Sequence, residues 1–565
     1  AEGGDMGAGW AMGWLLAELM AAAPEPRVVS ALEKVRPGVE LKGEKEARLS
    51  LARGECEAAQ VVLPPGSTRV RVKPLALRGP EGKTLVDSVW REAFLDVKTP
   101  SNSQGGTGLW PDPLVPVESS PGPEGAPHVL YVELCAPEAQ EPGTYQGSLL
   151  VEAGGKALAP VPFTAEVQPF VLPATSSLPN SFGISLYSIS KAHGLEPESP
   201  EARELLRDYV GALLAHRVSA HGMSMSPPPV RFEGGKAVVD FSAYDAELGP
   251  FLEGSALSSG ARFTTVDVRD SKSARTDAEK SAYYRAFAEH FRQKGWKARL
   301  FFYAKDEPKP EDVALVRSQA LRVRAAKQDV PVLVTAPLDD ALRGSADILA
   351  PTLNCFFPRP GPQTCRNVVP LQKLRGKVEP HVKVWWYQSC NSHGCNGGPA
   401  EDAATEKVYS GWASYMVDHP TPLNRAMGPL AFVSGVDGEL YFDTVFAYNT
   451  KDPWKDVFEF GGNGDGTFFY PGTPARPGFS RHQPVVSLRL KHLRDGLEDY
   501  EYLRLLESLG EQTFAREAAR RLTRSGYEVE TDARQWEQVR REMTLRLRKR
   551  WEASEYAKRS GVRPK

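Results

Sequence analysis

No run of about 18 apolar residues, the length a helix needs to cross a bilayer, occurs anywhere in this chain of 565 residues. Charge of one sign is lacking too. Against 71 acidic residues stand 69 basic ones, a formal net charge of -2, without the field that draws a protein to nucleic acid or an anionic membrane. Neither is an expected partner, and no transmembrane segment is expected. The G-x-S-x-G nucleophile elbow is absent, no Gly-rich phosphate loop follows an early strand, and His216, His221, His381 and His393 lack metalloprotease spacing. There is no internal repeat and no low-complexity tract.

Cysteine is sparse, six in all, but its placement is informative. Cys56 and Cys135 share the N-terminal region, Cys355 and Cys365 are neighbours, and Cys390 and Cys395 bracket Asn391-Ser392-His393-Gly394. Three local pairs suit disulfides and an oxidising compartment, hence a secreted or envelope-side protein. Zinc held by Cys390, His393 and Cys395 would need a fourth donor, usually from a second paired cluster, and none is present. No metal and no cofactor is expected.

Single hydrophobic cores stop growing near about 250–300 residues, so two or three domains are expected. Residues 1–26 read as a leader remnant or tail: they have small apolar character ending in Ala21-Ala22-Ala23, without a basic start and with Glu18 interrupting. Over residues 27–175 short alternating runs such as 58–63, 70–75, 128–134 and 148–152 are separated by Pro/Gly turns, which predicts an antiparallel β-sandwich. Residues 101–127, rich in Gly, Pro and Ser, read as a long loop within it. From 176 to 483 the grammar becomes strand then helix. Strand candidates are 181–186, 262–268, 298–303, 331–335, 347–353, 382–387 and 430–434. Helix candidates are 200–215, 277–294, 310–326 and 401–417. This alternation predicts a (β/α) TIM-like barrel, with an open parallel sheet as the alternative. Residues 484–565 read as a C-terminal helical segment, with Trp536, Val539, Met543 and Leu547 on one buried face and the basic residues between Arg540 and Arg550 on a solvated one.

Chemistry concentrates at Leu300-Phe301-Phe302-Tyr303-Ala304-Lys305-Asp306-Glu307-Pro308, an apolar strand ending on two consecutive carboxyls. Strand C-termini face the catalytic mouth of a barrel. Both carboxyls can enter one pocket only if the strand relaxes there, because neighbouring strand residues point to opposite faces, and Pro308 keeps Glu307 out of the helical region. The plain alternative is a solvated loop start. A second cluster, Val384-Trp385-Trp386-Tyr387-Gln388, offers aromatic faces on which sugar rings stack. Alternation puts Trp385 and Tyr387 on one face and Trp386 on the other, where core packing is the competing role. A third, Gly438-Glu439-Leu440-Tyr441-Phe442-Asp443, precedes Trp454 and the turn-rich run of residues 463–472. Candidate catalytic residues are Asp306 and Glu307; candidate substrate-binding residues are Tyr303, Trp385, Trp386, Tyr387, Glu439 and Tyr441.

The run Ser487-Leu488-Arg489-Leu490-Lys491-His492-Leu493-Arg494-Asp495-Gly496-Leu497-Glu498-Asp499-Tyr500-Glu501-Tyr502-Leu503 resembles the hallmark of glycoside hydrolase family 123 and its uncharacterised relatives. The Asp306-Glu307-Pro308 strand end, the tract from Trp385 to Tyr470-Pro471-Gly472 and Trp110-Pro111-Asp112-Pro113-Leu114 fit the same pattern. The resemblance implies a β-sandwich, a (β/α) barrel and a C-terminal segment, in the order already read. It also implies a retaining β-N-acetylgalactosaminidase that works by substrate assistance. Asp306 would then orient and stabilise the 2-acetamido group while Glu307 acts as acid and base. The hallmark around Asp495 reads as structural. The partner is then a glycan containing 2-acetamido sugars; the alternative is a non-catalytic polysaccharide-binding or coat protein on the same scaffold.

Overall fold

The computed structural model describes residues 25–119, 122–223, 225–361 and 364–560. Most of the expected leader or tail, residues 1–24, lies outside them. The N-terminal region is a sandwich of two five-stranded sheets. In the first, Arg27–Ser30, Glu55–Val62, Val129–Ala136, Val86–Val97 and Gly108–Val115 run antiparallel in that order. The second orders Ala47–Arg53, Val161–Val171, Gly143–Ala153 and Arg71–Lys73, with Lys156–Ala157 beside the third; only its first pair is parallel. Inward residues such as Leu51, Val61, Leu130, Val132, Tyr145 and Phe163 form the shared core. Cys56 and Cys135, opposite each other across the ladder, are disulfide-bonded, as are Cys355 with Cys365 and Cys390 with Cys395.

The strand at Gly108–Val115 corrects the long loop expected over 101–127. Pro111 and Pro113 argue against a central strand, but this one lies at the sheet edge, where a missing N–H costs no ladder bond.

Eight parallel strands follow: Asn180–Gly183, Ala220–His221, Thr265–Asp267, Arg299–Asp306, Val332–Thr335, Ile348–Leu349, Lys383–Tyr387 and Gly438–Tyr441. From the third to the eighth each pairs with the next, and the eighth pairs back to the first. Between the second and third, side chains bridge instead: Gly222 N–H donates to Asp267 Oδ1 at 3.2 Å, and the Ser219 and Thr264 hydroxyls are 2.9 Å apart. The result is a nearly closed TIM-like barrel. Its helices start and stop where local chemistry dictates. Pro200–Ala215 begins with Ser199 capping the Ala202 N–H ahead of Pro200. Asp277–Lys294 opens on a Thr276/Glu279 capping box and closes at left-handed Gly295. The expected strand over 430–434 is instead the end of helix Met427–Ser434, and the eighth strand comes after it. An apolar run of this length is too short for its periodicity to separate the two.

Inside the barrel lie Phe301, Leu333, Ile348, Trp385 and Leu440. Gly438 makes room for one of them, since a Cβ there would sit 2.4 Å from the Trp385 ring. Outward residues, among them Phe302, Val334, Val384 and Trp386, meet the helices in the largest core.

Helix Leu488–Ser508 follows the eighth strand and is buried from Leu488 through Leu503, although its sequence is rich in charge. Ser487 caps it by accepting from Leu490 N–H at 3.1 Å. It crosses the preceding helices at backbone contact: a Cβ on Gly496 would lie 2.2 Å from the Arg425 carbonyl oxygen, so only glycine fits. Arg489, Lys491 and Arg494 find partners in the sandwich at Asp112 and Glu133, whereas Glu498 pairs with Arg217 and Asp499 with Arg425 of the barrel region. Arg540, expected on a solvated face, is buried in the same seam and pairs with Asp499 at 3.0 Å and with Glu55.

Candidate active site

The strand Arg299–Asp306 is not regular to its end. Tyr303 pairs with Leu333, yet Lys305 pairs with Val334, the next residue of the neighbouring strand, so one extra residue has been inserted. Such a bulge resets the alternation and returns Asp306 to the side of Tyr303. The Tyr303 hydroxyl donates to Asp306 Oδ1 at 2.9 Å, and Thr335 Oγ1 donates to the same oxygen at 2.9 Å. Glu307 then takes a left-handed φ of 41°, an uncommon conformation for a residue with a side chain, ahead of Pro308. Its N–H donates to Thr335 Oγ1 at 2.8 Å. One threonine hydroxyl, 2% exposed as a residue, therefore ties the backbone of one carboxyl residue to the side chain of the other.

Across the mouth, the Tyr387 hydroxyl donates to Glu307 Oε1. Burial, reinforced by the Glu307 charge, pushes the Tyr387 phenol far above its ordinary range; burial and the Asp306 charge do the same to Tyr303. Both phenols stay neutral donors. His221 lies 6.3 Å from Tyr303, ring to ring, with Nδ1 3.0 Å from Ser181 Oγ. Burial lowers its pKa, against the pull of Asp267. Among the described residues no ion pair engages Asp306 or Glu307, and both are exposed. Their carboxyls are held by the hydroxyls of Tyr303, Thr335 and Tyr387.

Of the expected binding residues, Tyr303 and Tyr387 join the carboxyls. The others lie elsewhere. Trp385 does share the inward face, but it is 2% exposed and sunk among Phe301, Leu333 and Leu440. Trp386 faces the helices against Phe356 and Phe357. Glu439, its ladder neighbour, also points outward and accepts from the Tyr415 hydroxyl at 2.6 Å, with burial raising its pKa to about 8. Tyr441 donates to Asp465 Oδ1 at 2.6 Å and is fully buried. Strand alternation sends Trp386, Glu439 and Tyr441 away from the axis. Thr335 and His221 went unread. Thr335 carried the same signal as Asp306, a polar residue closing an apolar strand.

The arrangement is a nearly closed eight-stranded parallel barrel with Asp306 and Glu307 side by side at the end of its fourth strand. Residues 261–506 match the family described as glycoside hydrolase 123, catalytic domain. Among solved structures, a family 123 glycoside hydrolase from Clostridium perfringens, described in terms of glycolipid glycan hydrolysis, superposes with a TM-score of 0.62 at 13% identity, covering 95% of this chain and 99% of that one. That likeness concerns the fold. A family 5 xyloglucanase from Bacteroides ovatus covers 80% of this chain and 99% of its own at 11% identity, with a TM-score of 0.27, too low to carry an argument. No curated protein matches the chain in sequence.

Proposed function

We propose that this glycoside hydrolase cleaves 2-acetamido-2-deoxy-hexosides, with a β-N-acetylgalactosaminide as the first substrate to try, by a retaining mechanism in which the substrate supplies the nucleophile. The observation that carries the reading is the adjacency of Asp306 and Glu307 on one bulged strand end, tethered to a common hydroxyl, Thr335 Oγ1. A carboxylate nucleophile in a retaining glycosidase faces the acid from about 5–5.5 Å across the sugar ring. Consecutive residues on one strand end are poorly placed to do that. An acetamido oxygen of the substrate has the large effective molarity of an intramolecular attack on C1. Asp306, held in orientation by Tyr303 and Thr335, then accepts the acetamido N–H and stabilises the positive charge that develops there. Glu307 protonates the departing oxygen and afterwards takes a proton from the incoming water, with Tyr387 fixing the rotamer through Oε1.

The three disulfides support an oxidising compartment, secreted or at the cell envelope. The test uses paired aryl glycosides that differ only at C2. Turnover should require the 2-acetamido group and be blocked by a thiazoline analogue of the cyclised intermediate. Efficient cleavage of the 2-hydroxy partner, or a covalent glycosyl adduct on a carboxylate, overturns the mechanism.

A further inference from the structure

The aromatics that reach the rim differ from those expected. Phe442, directly after the eighth strand, lies 5.6 Å from Phe446 and 5.6 Å from Phe460, ring to ring, and the last two are 5.1 Å apart. Phe442 is 37% exposed and Phe460 45%. Beneath them is backbone: a Cβ on Gly466 would come within 2.5 Å of the Phe442 ring.

Phe460 occupies an unfavourable position twice over. With Gly461 it forms the two-residue tip of the hairpin joining Phe458–Glu459 to Gly462–Asn463, and both tip residues have positive φ, 52° and 88°. Tips of this kind prefer Asn-Gly. A phenylalanine here accepts a strained backbone and holds a large apolar ring in water. Neither feature helps the hairpin fold, whereas both present the ring outward.

These rings lie on the same rim of the barrel as the carboxyl site, at strand C-terminal ends. Tyr387, which holds Glu307, is the ladder partner of Leu440 near the end of the eighth strand, and Phe442 directly follows that strand's C-terminal end. The C-terminal ends of all strands open on one face of a parallel barrel, so the platform and the carboxyls share that face. We infer that Phe442, Phe446 and Phe460 form a stacking subsite for a second pyranose ring of the glycan, adjoining the one cleaved at Asp306 and Glu307. The phenyl faces bind the C–H face of the ring and demand no hydroxyl pattern. This subsite rests on the glycosidase reading of the carboxyl pair.

The experiment measures binding calorimetrically in the full chain carrying Glu307→Gln, with a disaccharide that presents a terminal 2-acetamido sugar and with the matching methyl monosaccharide. Phe460→Asn suits the turn better than the native residue, so its melting temperature should equal or exceed that of its parent. The ratio of disaccharide to monosaccharide affinity should fall about three- to tenfold, and Phe442→Ala should reproduce the fall. An unchanged ratio overturns the subsite. So does a Phe460-dependent gain for an octyl over a methyl monosaccharide that the disaccharide does not share, which marks an alkyl aglycone site. Loss of hydrolysis of every 2-acetamido glycoside by the native chain, with the Phe460-sensitive ratio intact, overturns the catalytic reading and leaves the subsite standing.

Discussion

Two regions of this molecule are rich in carboxylates, and they treat them oppositely. In the seam around helix Leu488–Ser508, most of the buried acids have a guanidinium or ammonium partner. Arg489 meets Asp112 at 2.8 Å with both side chains fully buried, Arg494 meets Glu133 at 2.6 Å with Lys491 at 2.9 Å on its other oxygen, and Arg425 meets Asp499 at 2.6 Å. Burial alone would raise the Glu133 pKa, but Arg494 and Lys491 overcome it and hold the carboxyl down to about 2. At the mouth, Asp306 and Glu307 are exposed, and their carboxyls accept from hydroxyls, those of Tyr303 and Thr335 on Asp306 and that of Tyr387 on Glu307. Paired, buried charge fixes how two domains sit together; unpaired, oriented charge at a strand end remains available to a substrate. The run that most resembles the family belongs to the first kind.

The sharpest way to break this contrast is to neutralise one acid in each place. Glu307→Gln should lower turnover of poor leaving groups by about a hundred- to ten-thousand-fold, with a smaller loss on activated aryl glycosides and an unchanged melting curve. Equal loss on both substrate classes would remove Glu307 from the acid role. Arg489→Met should do the reverse, since it removes the guanidinium paired with buried Asp112 and costs about 3–5 kcal/mol in urea unfolding, while the folded fraction keeps its specific activity. The seam should also fail in acid. Glu133 titrates lower in the folded chain than in the unfolded one, so its contribution is complete above the ordinary glutamate value, near pH 4.5, and is lost as pH falls toward about 2.

How much of this was legible depends on whether a signal is local. Helix bounds at Pro200–Ala215 and Asp277–Lys294 were readable because their caps are written in adjacent residues. The second barrel strand, Ala220–His221, was invisible: two residues carry no period. At the candidate site, the strand-end position singled out Asp306 and Glu307, and alternation put Trp385 and Trp386 on opposite faces, where the structure has them. What alternation cannot give is depth along the axis. Trp385 faces inward yet lies below the mouth, while the exposed rings of Phe442 and Phe460 sit on loops where no period applies. The bulge that brings Asp306 beside Tyr303 likewise has no sequence signature, because it is defined by pairing with another strand.

Glu439 sharpens the comparison from a third position, a buried acid with no cation and only the Tyr415 hydroxyl at 2.6 Å. Burial raises its folded pKa to about 8 from an ordinary value of 4.5, so the folded chain keeps a proton that the unfolded chain releases. Its contribution to stability is present below about pH 4.5 and declines as pH rises toward 8. Glu439→Gln should remove that decline and gain on the order of a few kcal/mol at pH 8 relative to pH 5, read as a flatter plot of melting temperature against pH. A plot as steep as the parent's would mean that Glu439 is ionised in its burial site.

Thr335 carries the smallest expected effect and the most specific one. Its hydroxyl accepts from the Glu307 N–H at 2.8 Å and donates to Asp306 at 2.9 Å, so it acts on the reaction only by positioning the two carboxyls. Thr335→Val keeps shape and volume but leaves that N–H without its partner, in a mouth open enough for water to recover part of the loss. Turnover should fall about tenfold, equivalent to about 1.4 kcal/mol, with the loss in kcat rather than KM, because substrate still binds while the carboxyls are less well aimed. Thr335→Ser, which retains the hydroxyl, should restore most of the rate even though it opens a methyl-sized gap. A packing role would give the opposite ranking, with valine near the parent in rate and melting temperature and serine impaired in both, and that ranking would place the threonine with the barrel wall rather than with its mouth.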